Sequence, residues 1–238
     1  MKYKIFCAVF ALLIFVGSVA ATAADESLGV ARVHQHLSAR QPDEGCDCGG
    51  SELCTHLPLV VIETGGQTIP GEPISENGQI VDYTTTETGE AEIVVTIKTI
   101  EEDGAWHHPS DEATQTTQAL FRIRGNSSRR FPKKSYRLKL VADDAGTEKN
   151  PLPLLGMSAD DDWALHGPFL DKTLIRNYMW MNISAEVMGY APNVRFCEVI
   201  LDGEYQGLYL LMETIKKSDE RVNLTDYENG ALQTSYLL

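Results

Sequence analysis

ALFRIRGNSSRRFPKKSYRLKLV, residues 119–141, decides how this chain is to be folded on paper. Both ends of the stretch alternate. ALFRIRG at 119–125 sets Phe121 and Ile123 against Arg122 and Arg124, and SYRLKLV at 135–141 sets Tyr136, Leu138 and Leu140 against Arg137 and Lys139. A period of two marks strands, so the middle, RGNSSRRFPKK, is expected to be a loop between a pair of them. Pro132 suits a loop and not a strand interior. From Arg122 to Lys139, eight of eighteen residues are Arg or Lys and none is acidic, in a chain that holds twenty such cations and a formal charge of -14. Gly125, the small Ser127 and Ser128, and the neighbouring cations offer N–H groups, hydroxyls and charge to phosphate oxygens. A solvated hairpin face accounts for the same residues.

Outward from this hairpin the chain reads as further strands. LPLVVIET at 57–64 and EIVVTIKTI at 92–100 are apolar and β-branched, and Gly65, Gly66, Pro70, Gly71 and Pro73 form turns between them. Residues 101–117 read as a polar loop. RFCEVIL at 195–201 and LYLLME at 208–213 flank Asp202-Gly203, a hairpin signal. One helix is expected over 171–189, started by Asp171 and stopped by Gly189. Strands with an inserted helix predict an α+β class.

Residues 1–24 carry Lys2 and Lys4, an apolar run of about 15 residues and the small Ala21-Thr22-Ala23. That is the pattern of a secretory signal peptide; the run falls short of the ~20 residues of a bilayer span. Its removal leaves a charge of -16, by loss of two lysines from -14. Such a balance argues against a nucleic-acid or anionic-membrane partner. An exported protein is therefore expected, extracellular, at the cell surface or periplasmic, with no membrane anchor after cleavage. Residues 25–56 lack periodicity and are expected to be a tether. Cys46, Cys48 and Cys54 lie in it, with Cys197 further on. Export permits disulfides. One residue between Cys46 and Cys48 is tighter than the usual zinc spacing, so a disulfide or idle thiols are expected rather than a metal site. His56 follows Cys54, and His107 and His108 stand in a loop with nothing beside them to complete a site.

Two more clusters bear carboxylates. Asp160, Asp161 and Asp162 could hold Mg²⁺ with bridging phosphates, or cap a helix and stay wet. Glu213 ends an apolar strand and needs a cation if it is buried. Lys134 is one candidate; Lys216 or Lys217 serves if Glu213 is at the solvent end.

FRIRGNSSRRFPKKSYRLKL, PLLGMSADDDWALHGPFLDKTLIRN and MGYAPNVRFCEVILDGEYQGLYLLMETIKKSDERVNL come in this order and resemble the CotH family, named for spore-coat protein H. The resemblance covers roughly residues 57–226. It implies a distant protein-kinase-like fold that binds ATP and Mg²⁺ and phosphorylates Ser or Thr of a protein acceptor. It assigns ATP to Arg124, Gly125, Ser127, Ser128, Lys134 and Glu213, with Lys133 against Lys134 left open as the phosphate lysine. The family's catalytic and metal-holding aspartates belong to motifs further on, and nothing in residues 214–238 matches them. The expectation is thus the N-terminal part of such a kinase at 57–238, incomplete at its C-terminus and of weak or no activity, with an open sheet edge at 231–238. The alternative is a non-catalytic surface or adhesion module.

Overall fold

The computed structural model describes residues 34–226 and 229–230. The expected signal peptide and the expected sheet edge at 231–238 lie outside the described residues. Strands dominate: β1 (Leu59–Glu63), β2 (Pro73–Glu76), β3 (Gln79–Tyr83), β4 (Ile93–Ile100), β5 (Gln115–Arg124), β6 (Ser135–Val141), β7 (Leu152–Leu154), β8 (Met157–Asp160), β9 (Asp162–His166), β10 (Val194–Leu201) and β11 (Glu204–Glu213). One α-helix, α1 (Arg176–Val187), stands among the described residues.

Seven strands close into a barrel in the order β1-β10-β11-β9-β6-β5-β4. Neighbours are antiparallel except at one seam, where β1 runs parallel to β10 with Leu59 opposite Glu198. The hairpins β2-β3 and β7-β8 are attached outside it. The period-two pattern sets the barrel's inside. Phe121, Ile123, Tyr136, Leu138, Leu140, Trp163, Leu165, Val199, Tyr209 and Leu211 are all buried in one core. Phe121 stacks on Tyr136 at 4.7 Å between ring centres, and Tyr136 on Tyr209 at 6.3 Å. Cys197 is in this core too, and burial pushes its thiol pKa up to about 12, so it is an inert apolar side chain.

The architecture overturns the α+β, kinase-like expectation. The strands expected near 57–64, 92–100, 119–125, 135–141, 195–201 and 208–213 all form, but they close on one another instead of forming a layer under helices. α1 starts at Arg176, later than the periodicity suggests, and of its residues only Asn182 is buried. Met179, Trp180, Ile183 and Val187 remain exposed. A helix that buries so little cannot be a second layer. Asp171 still shapes its approach: its carboxylate accepts from the N–H groups of Thr173 and Arg176.

The Asp202-Gly203 hairpin forms as expected. Both residues have positive φ, 49° and 82°, as a type I′ turn requires. The Asp202 carboxylate accepts from the Thr64 N–H and hydroxyl, each at 2.7 Å, and so pins the end of β1 to the turn. Residues 34–56 form no helix or strand. They lie against the barrel: the Tyr178 hydroxyl donates to the Leu37 carbonyl, the Trp106 indole to the Glu44 carbonyl, and Thr55 bridges to His107.

Phe121 is fully buried at one end of the aromatic row. Phe121→Ala should cost about 3–5 kcal/mol, read as a lower denaturation midpoint; a change below ~1 kcal/mol would contradict the packing described.

Candidate functional site

The eight cations around the β5–β6 loop divide by task. Residues 127–130 make a single 3-10 turn. Arg129 is buried in it, donates to the carbonyls of Gly125 and Gly71, and lies 3.9 Å from the Tyr83 ring centre. Arg130 donates to the Gly78 carbonyl. Lys134 donates to Glu72 at 2.8 Å and to the Arg129 carbonyl at 2.6 Å. These three hold the β2-β3 hairpin against the loop. Lys133 turns to the barrel mouth, donating to the Gln206 carbonyl and sitting 4.5 Å from the Tyr209 ring centre, and burial lowers its pKa.

On the outer barrel face, Arg122 of β5 stands opposite Arg137 of β6. Like charges in register repel. Two carboxylates offset them. Glu92 accepts from Arg122 Nε at 3.0 Å, and Asp162 takes a two-bond fork from Arg137 at 3.0 and 2.8 Å. Arg124 is different. Among the described residues no side-chain hydrogen bond or ion pair engages its half-buried guanidinium. Burial lowers its pKa; Asp162 opposes this, and the charges of Arg122 and Arg137 add to it. The group stays charged all the same.

Arg124 and Gly125 are shared by two adjoining clefts. One, of about 310 Å³, also has Arg122, Arg137 and Thr214 in its walls. The other, of about 280 Å³, is walled by Ser128, Ser135, His166 and Asn177. Gly125 has φ 110°, and a Cβ there would lie 2.1 Å from the Ser128 hydroxyl oxygen, so only glycine leaves this space open. A larger open concavity of about 920 Å³ lies elsewhere, but Glu63, Glu90, Glu92 and Asp144 line it, and an anion would be repelled there. The Arg124 clefts are the better candidate on charge.

Of the six residues expected to act together, the structure joins Arg124, Gly125 and Ser128. Ser127 is exposed on the same turn and lines neither cleft. Lys134 is bound to Glu72, and Glu213 is on the inward side of β11, so the expected Lys134–Glu213 pair does not form. Glu213 has the cation its burial demands, but the partner is Arg221, at 2.7 Å. Arg221 is fully buried, lies 4.6 Å from the Trp163 ring centre and 3.7 Å from the Asp160 carboxylate. Lys216 bonds Asp160 at 2.5 Å and Asp161 at 2.8 Å. The three consecutive aspartates therefore neither cap a helix nor stand free for Mg²⁺: two are buried in an ion network and the third holds Arg137.

Residues 121–236 match the family model described as CotH kinase protein. The chain carries a CotH-family domain. Its matched segment runs from within β5 through β11, and so contains Arg124, the aspartates and the Glu213–Arg221 pair, whereas β1, β4 and the cysteines at 46–54 precede it. No curated protein matches the chain.

Two expectations follow for the CotH segment. Arg221→Met takes away the buried cation 2.7 Å from the Glu213 carboxylate and should cost about 3–5 kcal/mol by urea denaturation; near-wild-type stability would show that the pair is dispensable. His166 gives a pH signature. Burial, and secondarily the Arg124 charge, hold its imidazole below the ordinary range. In the unfolded chain it protonates near ~6.5. Just below that pH the unfolded state binds more protons, so stability falls as pH drops until the lower folded value is reached. His166→Gln should flatten this slope in urea midpoints measured from about pH 7 to about pH 5; an unchanged slope would contradict the assignment.

Proposed function

We propose that this chain binds the phosphate groups of ATP at the Arg124 cleft, in the service of ATP-dependent phosphorylation of a Ser or Thr on a protein acceptor. The observation that supports this is Arg124: a half-buried guanidinium, without a hydrogen-bonded partner among the described residues, aimed at clefts that also hold Arg122, Arg137 and the Ser128 hydroxyl. A desolvated arginine without a carboxylate favours a bound anion, and its planar fork suits phosphate oxygens. Gly125 keeps the approach clear, and Ser128 can donate to a second oxygen. His166, neutral at pH 7, brings no further charge and can exchange one hydrogen bond. Lys134 acts at one remove, by fixing the Arg129 carbonyl and hence the turn that carries Ser128.

Bound ATP supplies the transferable γ-phosphoryl group. Mg²⁺ fits these residues less well. Asp162 is the carboxylate in the cleft wall, and both its oxygens are taken by Arg137. Phosphoryl transfer also needs a base that orients the acceptor, and among the described residues no free carboxylate stands at this face to do so. That observation favours a second reading, a surface module that binds a phosphorylated ligand without catalysis. Export rests on the pattern of residues 1–24 and is part of the proposal.

Calorimetric titration with ATP, and with ATP plus Mg²⁺, tests the site. Arg124→Ala should weaken binding at least about tenfold, in line with loss of one charge-assisted pair. Unchanged affinity would refute the site. Transfer of labelled γ-phosphate to a protein separates the two readings: binding without transfer leaves the module.

A further inference from the structure

Cys46, Cys48, Cys54 and His108 bring three sulfur atoms and one imidazole nitrogen within 4.8 Å of one another. We infer that these four residues form a structural Zn²⁺ site of three thiolates and one histidine. The spacing of the cysteines alone argued against it, because one residue separates Cys46 from Cys48, and the histidine nearest in sequence is His56. The fold supplies another one. Thr55 and His107 exchange two backbone hydrogen bonds, of 3.1 and 2.7 Å, as an antiparallel bridge. That bridge brings Cys54, one residue before Thr55, to His108, one residue after His107.

The two adjacent histidines do different work. His107 is buried and fully used: its Nδ1 contacts the Leu57 carbonyl at 3.0 Å, and its Nε2 accepts from the Glu102 N–H at 2.8 Å. His108 turns Nε2 towards the sulfurs, 3.2 Å from Cys46 Sγ, while its Nδ1 faces Asp111 Oδ2 at 3.3 Å. A carboxylate behind the ring is the usual support of a zinc-bound histidine, since it sets the tautomer and the ring orientation. Asp111 is itself held by the His108 N–H at 2.7 Å. In a tetrahedron with Zn–S of about 2.3 Å and Zn–N of about 2.0 Å, the edges between ligand atoms are roughly 3.5–3.8 Å. The cluster thus closes if its longest edges contract by about an ångström and the 3.2 Å edge from Cys46 to His108 lengthens slightly.

A disulfide is the competing chemistry, and it fits less well. Three thiols converge here, while Cys197 is sealed in the barrel core. One bond between two of the three would strand a third thiol and the imidazole together. Zinc uses all four groups: three thiols give up their protons to solvent, His108 binds neutral, and four protein ligands leave no open position. Such a closed site is a staple. It would fasten residues 46–54 to the loop after β4, where the Ser110–Glu52 and Trp106–Glu44 bonds already join the same two segments.

The test uses the whole chain, purified without chelator under reducing conditions and then loaded with Zn²⁺ and desalted. Elemental analysis should find about one zinc per chain, with three thiols protected from a thiol reagent until a strong chelator is added. Cys48→Ser and His108→Ala should each lower zinc retention at least about tenfold, and Cys197→Ser should leave it at one. Co²⁺ in place of Zn²⁺ should give the absorption of a tetrahedral thiolate site in the wild type and lose its sulfur band in Cys48→Ser. Circular dichroism of each variant separates a lost ligand from a lost fold. The inference is overturned if the folded, reduced chain retains no zinc, if retention survives loss of Cys48, or if peptide mapping of the chain from an oxidising compartment finds a Cys46, Cys48 or Cys54 disulfide and no metal.

Discussion

A carboxylate on the inward side of a barrel strand must be met by a cation, and here the pair Glu213–Arg221 meets that need. Much else follows from it. Glu213 also accepts from the Asn193 N–H and side-chain amide, which fixes the entry to β10 beside the end of β11. Arg221 spreads over Trp163 and faces Asp160, so the turn into β9 is held from beneath. With Asp160 and Asp161 committed inward to Lys216, Asp162 is left pointing outward. It captures Arg137 with both oxygens, and Arg122 turns to Glu92. Among the described residues, Arg124 is the arginine of that face left without a carboxylate. A buried pair at one end of the barrel thereby determines which surface arginine is available to a ligand.

Six of the seven barrel strands were legible, either as apolar β-branched runs or by alternation. Phe121, Ile123, Tyr136, Leu138 and Leu140 are all at the positions that alternation assigns to the inside. The closure was not legible. It requires β1 to take β4 on one side and β10 on the other, and no local pattern states a pairing between Leu59 and Glu198. β9 was hidden for a different reason: the aspartates at and before its start look like solvent-facing loop, and the distant Lys216 and Arg221 make the burial of Asp160 and Asp161 tolerable. The α1 periodicity was legible: its stripe positions Tyr178, Met181 and Ala185 are half-buried, while Met179, Trp180 and Ile183 lie off the stripe and stay exposed.

The candidate site was half readable. Arg124, Gly125 and Ser128 stand together as the local charge and the small residues suggested. The lysine did not, because a flexible four-carbon stem takes whichever partner the fold offers, and the β2-β3 hairpin offered Glu72. The cysteine cluster shows the same limit more sharply. A ligand set assembled from two loops has no spacing signature until the bridge between Thr55 and His107 is known.

The parallel seam also imposes an order in time. β1 finds β4 early, but its other edge stays open until Val194–Leu201 has been made, more than half the chain later. Contacts so remote in sequence are slow to form, and meanwhile the LVVIE strand presents an unpaired apolar edge. A chain delivered from its N-terminus therefore spends its most vulnerable interval with the barrel two strands, β10 and β11, short of closing. How rapidly residues 194–201 follow residues 59–63 governs how many molecules reach the closed state before they meet another open edge.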